Sequence, residues 1–295
     1  MDLQQIPVTP PPCHFPSDVL RWMKANSPNP RISLKLMKIC KYFQSERFLT
    51  YFPVTAIGNS SVDNIGYKMS DNSCHYVNGV DKLPNKLWII HQLGFFNVNI
   101  ISQLVPKIGF CEAKILCFVN TNVFFTEFQI LNVGEYLESL YMENTTLKYE
   151  NDIVVPFEII LAFLPKVEGL IFKSIIPPLK SLQAAKDATS STLSNVIIDR
   201  IPKDYNICTF LQYMDNFPNI SFKVLLHDTH NIKELQAYAK KVVKKGLTEF
   251  PPPLIYLYQK SHKSQMPLLK LHEKFHEKQN KNLINDFSFD FGGLN

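Results

Sequence analysis

The sequence predicts an α/β fold: an irregular β/α solenoid preceded by a small helical module. Three observations predict it. Short apolar strand cores recur from residue 84 onward, their starts 24 to 34 residues apart, a period typical of stacked repeat units. Between them lie stretches with apolar residues at helical spacing. Finally, the chain holds only ten glycines and no Gly-rich strand-to-helix turn, which argues against a doubly wound nucleotide-binding sheet. With 295 residues, 45% of them hydrophobic, and with 22 Phe and 12 Tyr, the chain can bury a sizeable core.

Taken in order, residues 1–12 end in Thr9-Pro10-Pro11-Pro12 and read as an extended, disordered leader. Residues 13–45 read as two helices. Ser17 can cap the first, whose apolar positions are Val19, Leu20, Trp22 and Met23. A break at 26–30 precedes a second, from Ile32 to Phe43. Residues 46–81 have weak periodicity and read as an irregular connector, with short strands at 51–57 and 74–77. The array then runs over 82–278, and 279–295 form a tail.

Each strand of the array aligns on an apolar-x-x-apolar-x-apolar kernel. The kernels are Pro84-Leu87-Ile89, Ala113-Leu116-Phe118, Leu137-Leu140-Met142, Val167-Leu170-Phe172, Leu193-Val196-Ile198, Phe217-Ile220-Phe222 and Pro251-Leu254-Tyr256. Alternate strand residues point into the core, which is why the last two kernel positions are spaced by two. The unit at 137–147 follows the full L-x-x-L-x-L-x-x-N-x-L template of a leucine-rich repeat, with Thr145 in place of Asn. A side chain there satisfies turn carbonyls, which Thr does in part. Helices are predicted at 100–105, 124–131, 157–164, 179–188, 207–217 and 232–245.

The helical module carries a resemblance. Phe15-Pro16-Ser17-Asp18-Val19-Leu20-Arg21-Trp22-Met23, followed by Leu34-Lys35-Leu36-Met37-Lys38-Ile39-Cys40-Lys41-Tyr42-Phe43, looks like an F-box, with Phe15 in place of the usual Leu. The connection Ser27-Pro28-Asn29-Pro30 departs from the pattern, and the typical Leu-x-x-Asp is missing. Together with the array, the chain resembles the divergent F-box-like proteins of nematodes. That resemblance implies docking on a Skp1-type adaptor of a cullin–RING ubiquitin ligase, through Phe15, Pro16, Val19, Leu20, Met37, Ile39 and Cys40. It also implies that the array binds the protein to be ubiquitinated. The candidate substrate surface is made of strand residues between the kernel positions: Glu138, Ser139, Tyr141, Glu143, Glu168, Ser194, Asn195, Ser221 and Lys223.

Other chemistry is thinner. His272-Glu273-Lys274-Phe275-His276 matches H-E-x-x-H, which places two zinc-binding imidazoles and a general base on one helix face. Lys270, Lys274, Lys278 and Lys281 surround it, so it reads as a solvated terminal helix, with a zinc metalloprotease as the lesser alternative. His227-Asp228-Thr229-His230 reads as a polar turn before a helix. Lys240, Lys241, Lys244 and Lys245 read as a solvated face backed by Leu235, Tyr238, Val242 and Val243. Cys13, Cys40, Cys74, Cys111, Cys117 and Cys208 are scattered singly and read as reduced core residues.

A net charge of +5 demands neither nucleic acid nor membrane. With no apolar leader and no unbroken apolar span, the sequence is expected to be cytoplasmic or nuclear. The expectation is therefore an adaptor without catalytic residues, metal or cofactor, whose partners are a Skp1-type protein and an unidentified protein substrate. The alternative is a repeat-type protein-binding scaffold with no ligase connection.

Overall fold

The computed structural model describes residues 52–61, 64–69, 71–97, 100–131, 136–203, 205–227, 231–258 and 262–278, with Pro16, Val19, Arg21, Trp22, Ile32 and Lys35. The leader at 1–12, most of the module at 13–45 and the tail at 279–295 lie outside the described residues. The strands are β1 (Phe52–Ser61), β2 (Asn64–Lys68), β3 (Cys74–Val77), β4 (Leu87–Phe96), β5 (Ile108–Cys111), β6 (Ile115–Val119), β7 (Asn122–Phe124), β8 (Ser139–Glu143), β9 (Thr146–Lys148), β10 (Gly169–Lys173), β11 (Asn195–Asp199), β12 (Ser221–Leu226) and β13 (Leu254–Leu257). The helices are α1 (Ile101–Leu104), α2 (Phe125–Leu131), α3 (Phe157–Ala162), α4 (Leu182–Ala188), α5 (Ile207–Asn216), α6 (Ile232–Lys245) and α7 (His262–Lys278).

Eleven strands form one sheet in the order β13-β12-β11-β10-β8-β6-β4-β1-β2-β3, with β5 also on β4. From β4 to β13 the path follows the chain, and every neighbouring pair along it from β1 to β13 is parallel. Strands β7 and β9 make a separate two-stranded parallel sheet. The residues read as a connector are not outside the main sheet. β1 runs parallel to β4, and β2 and β3 extend it antiparallel. The strands expected at 51–57 and 74–77 are present as β1 and β3; β2 is not among those expected, because its Asn and Gly carry little strand propensity and its pairing partners supply the stability instead.

Register sets the core. Leu116, Leu140, Leu170, Val196 and Phe222 fall in one row, and Phe118, Met142, Phe172, Ile198, Val224 and Ile255 in the next. All are buried. The helices pack their apolar faces against these rows: Leu104, Phe128, Ile160, Ala185, Phe210 and Leu235 belong to the same cluster. Aromatic rings knit the core, both between strands and across the two layers. Phe95 stacks on Phe118 at 5.5 Å, and Phe157 and Phe210 meet Phe172 and Phe222 edge-on at 5.9 and 6.0 Å. Such pairs add about 0.5–1.5 kcal/mol each beyond the area they bury.

Three kernels shift. β4 joins β6 through Leu93 and Phe95, not through Leu87 and Ile89, which face β1 and β5 instead. In β12 the aligned pair is Phe222 and Val224, two residues beyond the predicted one. In β13 the buried residues are Ile255 and Leu257, so Leu254 and Tyr256 face outward, opposite to expectation.

The corner after each strand is built alike. Asn97, Asn120, Asn144, Ser174 and Arg200 directly follow β4, β6, β8, β10 and β11, and all have positive φ, between 46° and 68°. Each donates its N–H to a carbonyl at the end of the next strand, at 2.8–3.0 Å. Asparagine tolerates this left-handed conformation better than other non-glycine residues. The three asparagines also form a side-chain ladder: Asn120 Nδ2 donates to Asn97 Oδ1 at 2.5 Å, and Asn144 Nδ2 to Asn120 Oδ1 at 2.8 Å. Thr145 follows, buried. Its hydroxyl donates to the Glu143 carbonyl at 2.9 Å and accepts from the Thr121 N–H at 3.4 Å, bonding within its own turn and to the previous one.

Asn120→Ala is expected to lower stability by about 1–3 kcal/mol through lost amide bonds and a strained φ. Asn120→Gly, which keeps the conformation open, should cost roughly half as much. Urea unfolding midpoints measure both; identical midpoints for wild type and Asn120→Ala would show that the ladder contributes nothing.

Candidate functional site

Helices α1 to α6 pack on one side of the sheet, and the other side, where α7 approaches Lys223 at the β12 end, carries the candidate site. Residues between the core positions form its rows: Cys117, Tyr141, Ile171, Ile197 and Lys223 in one, Val119, Glu143, Lys173, Asp199 and Leu225 in the next. Cys117, Tyr141 and Ile171 make a second, smaller apolar cluster, joined by partly buried Phe96, Val119 and Ile197. Beside it Glu143, Lys173 and Asp199 stand on three neighbouring strands with alternating charge. The Tyr141 hydroxyl donates to Glu143. Lys173 Nζ is 3.8 Å from Glu143 Oε2 and 5.0 Å from the centre of the Tyr141 ring. Burial, and then the Glu143 carboxylate, push the Tyr141 phenol upward, so it remains a hydrogen-bond donor.

Asp199 is buried, and His227 Nε2 lies 2.9 Å from its Oδ1, close but misaligned for a hydrogen bond. The imidazole stacks on Tyr258 at 4.0 Å, and Tyr258 meets Tyr256 edge-on at 4.7 Å. The face therefore offers an apolar centre, a strip of alternating charge and an aromatic end. That combination suits an extended protein segment, because apolar side chains supply affinity and charges fix register.

Ser139, Tyr141, Glu143, Asn195, Ser221 and Lys223 all lie on this face, and Glu138, Glu168 and Ser194 immediately precede β8, β10 and β11. Expected exposure fails at two of them. Ser139 is a short side chain that its neighbours cover, and the Tyr141 ring packs with Cys117 and Ile171, so both are buried. Glu138 pairs with Lys114 at 2.5 Å, a bond that, with the carboxylate's charge, raises the Lys114 pKa. Sequence reading passes over Cys117, Ile171, Lys173, Ile197, Asp199, His227 and Tyr258 as members of this face. Taking the residue after each kernel, as Glu143 follows Met142, finds Lys173 and Asp199 too.

Of the residues expected to face an adaptor, Pro16 and Val19 are described and exposed, as is Trp22; Phe15, Leu20, Met37, Ile39 and Cys40 lie outside the described residues. The H-E-x-x-H segment is not a fully solvated helix. Leu268 and Phe275 of α7 are buried, and the His272 and His276 rings lie 4.5 Å apart. Burial first, then His276 and Lys223, pull His272 down to about 4. Among the described residues no three His, Cys, Asp or Glu side chains gather in a group fit to hold a metal. Of the segment read as a polar turn, His227 directly follows β12, and Asp228, Thr229 and His230 lie outside the described residues.

Lys240, Lys241, Lys244 and Lys245 are exposed on α6 while Leu235 and Tyr238 are buried, and Lys241 pairs with Asp215 at 2.6 Å. Cys111 and Cys117 are buried, but Cys74 and Cys208 are exposed, so the core reading fails for those two; Cys13 and Cys40 lie outside the described residues. No described helix is long and apolar enough to cross a membrane. No family model matches the chain, and no similar curated protein or solved structure was found.

Burial pushes the Cys111 and Cys117 thiols up to about 11 and about 12. Alkylation of the native protein at about pH 8 is therefore expected to modify Cys74 and Cys208 and spare Cys111 and Cys117, which lack both access and thiolate. Peptide mass mapping reads the pattern, and rapid Cys117 labelling in folded protein contradicts the packing of this face. His272 gives a pH dependence. Its folded pKa lies below the unfolded value near 6.5. The unfolded chain thus binds a proton that the folded one refuses, and stability falls as pH drops from about 6.5 towards 4. His272→Gln should flatten that slope in urea titrations; an unchanged slope assigns it to other groups.

Proposed function

We propose that the chain is a protein-interaction adaptor in which a leucine-rich-repeat-like β/α solenoid presents the outward sheet face to a protein substrate. The F-box-like module at 13–45 would dock on a Skp1-type adaptor of a cullin–RING ubiquitin ligase. The observation that supports the first half is the sheet itself. Its main path from β4 through β6, β8, β10, β11 and β12 to β13 follows the chain, all parallel, with a left-handed corner repeated after five of these strands. Such stacking leaves one sheet face outside the helix layer of α1 to α6, the usual binding face of repeat proteins. Its apolar centre and the Glu143–Lys173–Asp199 row give that face both affinity and register.

The second half rests on the sequence motif Ile39-Cys40-Lys41-Tyr42-Phe43 following Phe15-Pro16, with Val19 and Trp22 exposed. A scaffold without ligase connection is the second reading, favoured by the missing Leu-x-x-Asp and the Ser27-Pro28-Asn29-Pro30 connection. On that reading the module is a cap for the open end of the array.

Co-purification with a Skp1-type adaptor tests this. Wild type is expected to bind stoichiometrically. Pro16→Ala with Leu20→Asp should weaken binding at least about 100-fold, since buried apolar anchors dominate such interfaces. Lys173→Glu with Lys223→Glu, on the outward sheet face, should leave it unchanged. Circular dichroism verifies that each variant folds. No binding by wild type removes the ligase reading and leaves the scaffold.

A further inference from the structure

Asn78 and Gly79 form a two-residue link between β3 and the turn at Val80–Lys82. The turn calls for glycine at 79, where φ is 93°, a conformation that other residues rarely adopt. Both sides of the link are held. Val77 pairs with Ile65, Val80 and Leu83 are buried, and Lys107 Nζ donates to the Asp81 and Leu83 carbonyls at 3.3 and 3.1 Å. The link itself is open. Asn78 is exposed, and no hydrogen bond from another described residue reaches its amide or the Gly79 N–H.

We propose that Asn78 is a site of spontaneous deamidation through a cyclic imide. The Gly79 backbone nitrogen, its proton taken by hydroxide, attacks Asn78 Cγ. A C–N bond forms, the Cγ–Nδ2 bond breaks, and Nδ2 leaves as ammonia with a proton from water. Water then adds to either carbonyl of the five-membered ring and opens it, leaving an aspartyl or isoaspartyl residue at 78. Glycine favours the attack because no Cβ shields its nitrogen. This is the one Asn-Gly pair in the chain, and the structure sets it apart from asparagines that precede serine. After Asn72, the Ser73 N–H donates to Asp71 Oδ1 at 2.9 Å and is withheld from attack. Asn59 is buried, and β4 holds its amide twice: Nδ2 donates to the Phe96 carbonyl and Oδ1 accepts from the Phe96 N–H, both at 2.9 Å. Those two react only after local opening, whereas Asn78 reacts in the native chain. An isoaspartyl residue adds one atom to the backbone within the unpaired link, so β3 and the buried Val80 stay in place and the product remains folded.

Incubation of the full chain in oxygen-labelled water, native and in urea, tests the proposal, with peptide mass mapping to read label at each asparagine. Native Asn78 is expected to convert within about three-fold of its rate in urea, while Asn59 and Asn72 are slowed at least about ten-fold by the native structure. The rate at Asn78 should rise roughly ten-fold per pH unit near neutrality, because the attacking nitrogen must first lose its proton. Asn78→Gln, whose ring would need a sixth member, should lose the label at 78 and keep the unfolding midpoint of wild type. Absence of label at Asn78, or native slowing there beyond about three-fold, overturns the proposal, as does conversion of Asn59 or Asn72 as little slowed as Asn78.

Discussion

Everything in this fold depends on strand register. Side chains alternate with a period of two, so a one-residue slip in any parallel pair would bring Cys117, Tyr141 and Ile171 into the helix layer and push Phe118, Met142 and Phe172 out. The hydrophobic pattern alone opposes such a slip weakly here, because the outward face is itself apolar at its centre. The left-handed corners oppose it strongly. A residue with positive φ cannot exchange places with its extended neighbour without strain, and the bond from each corner N–H to the end of the next strand fixes the pair. The asparagine ladder adds a second lock across β4, β6 and β8.

Irregular spacing is absorbed away from the strands. Paired core positions Leu116, Leu140, Leu170, Val196 and Phe222 stay in one row although their separations in sequence differ. The connections on the helix side take up the difference. Between β10 and α4 the chain needs an anchor, and Glu158 of α3 supplies it: its buried carboxylate accepts from the N–H groups of Lys180 and Ser181 at 3.2 and 3.0 Å. A buried charge is tolerated where backbone donors meet it, since leaving either side unpaired is costly.

Much of the array was legible in the sequence, and the failures have physical causes. The kernels ending in Phe118, Met142, Phe172 and Ile198 fall in the observed rows because the leading kernel residue of each, Ala113, Leu137, Val167 and Leu193, is itself buried and sets the phase of the strand that follows. Near β12 several apolar residues obey the same spacing, and Phe217, which packs on the core from the end of α5, mimics a strand residue. In β13 the run Leu254-Ile255-Tyr256-Leu257 is apolar at every position, so pattern cannot choose a face. The site was less legible than the fold. The expected contact residues are those that alternate with or sit between the kernel positions, and of the trio that organises the face they include Tyr141 but not Cys117 and Ile171, which look like core residues and are in the core of a second, smaller cluster.

On the proposed reading, that second cluster links stability to recognition. Because Glu143, Lys173 and Asp199 belong to the same register as Met142, Phe172 and Ile198, the bonds that align the core also set the charges side by side. No separate device is needed to space them: neighbouring strands lie roughly 4.8 Å apart, close enough for each charge to feel the next. The Tyr141 hydroxyl and the Lys173 ammonium both turn towards Glu143, which orders this strip in the absence of any partner. A partner segment would then meet a preformed row, with little side-chain entropy left to lose, and its selectivity would follow from matching the sign sequence strand by strand. Core substitutions that disturb β8 or β10 should accordingly be felt on the outward face, even where the changed residue touches no partner.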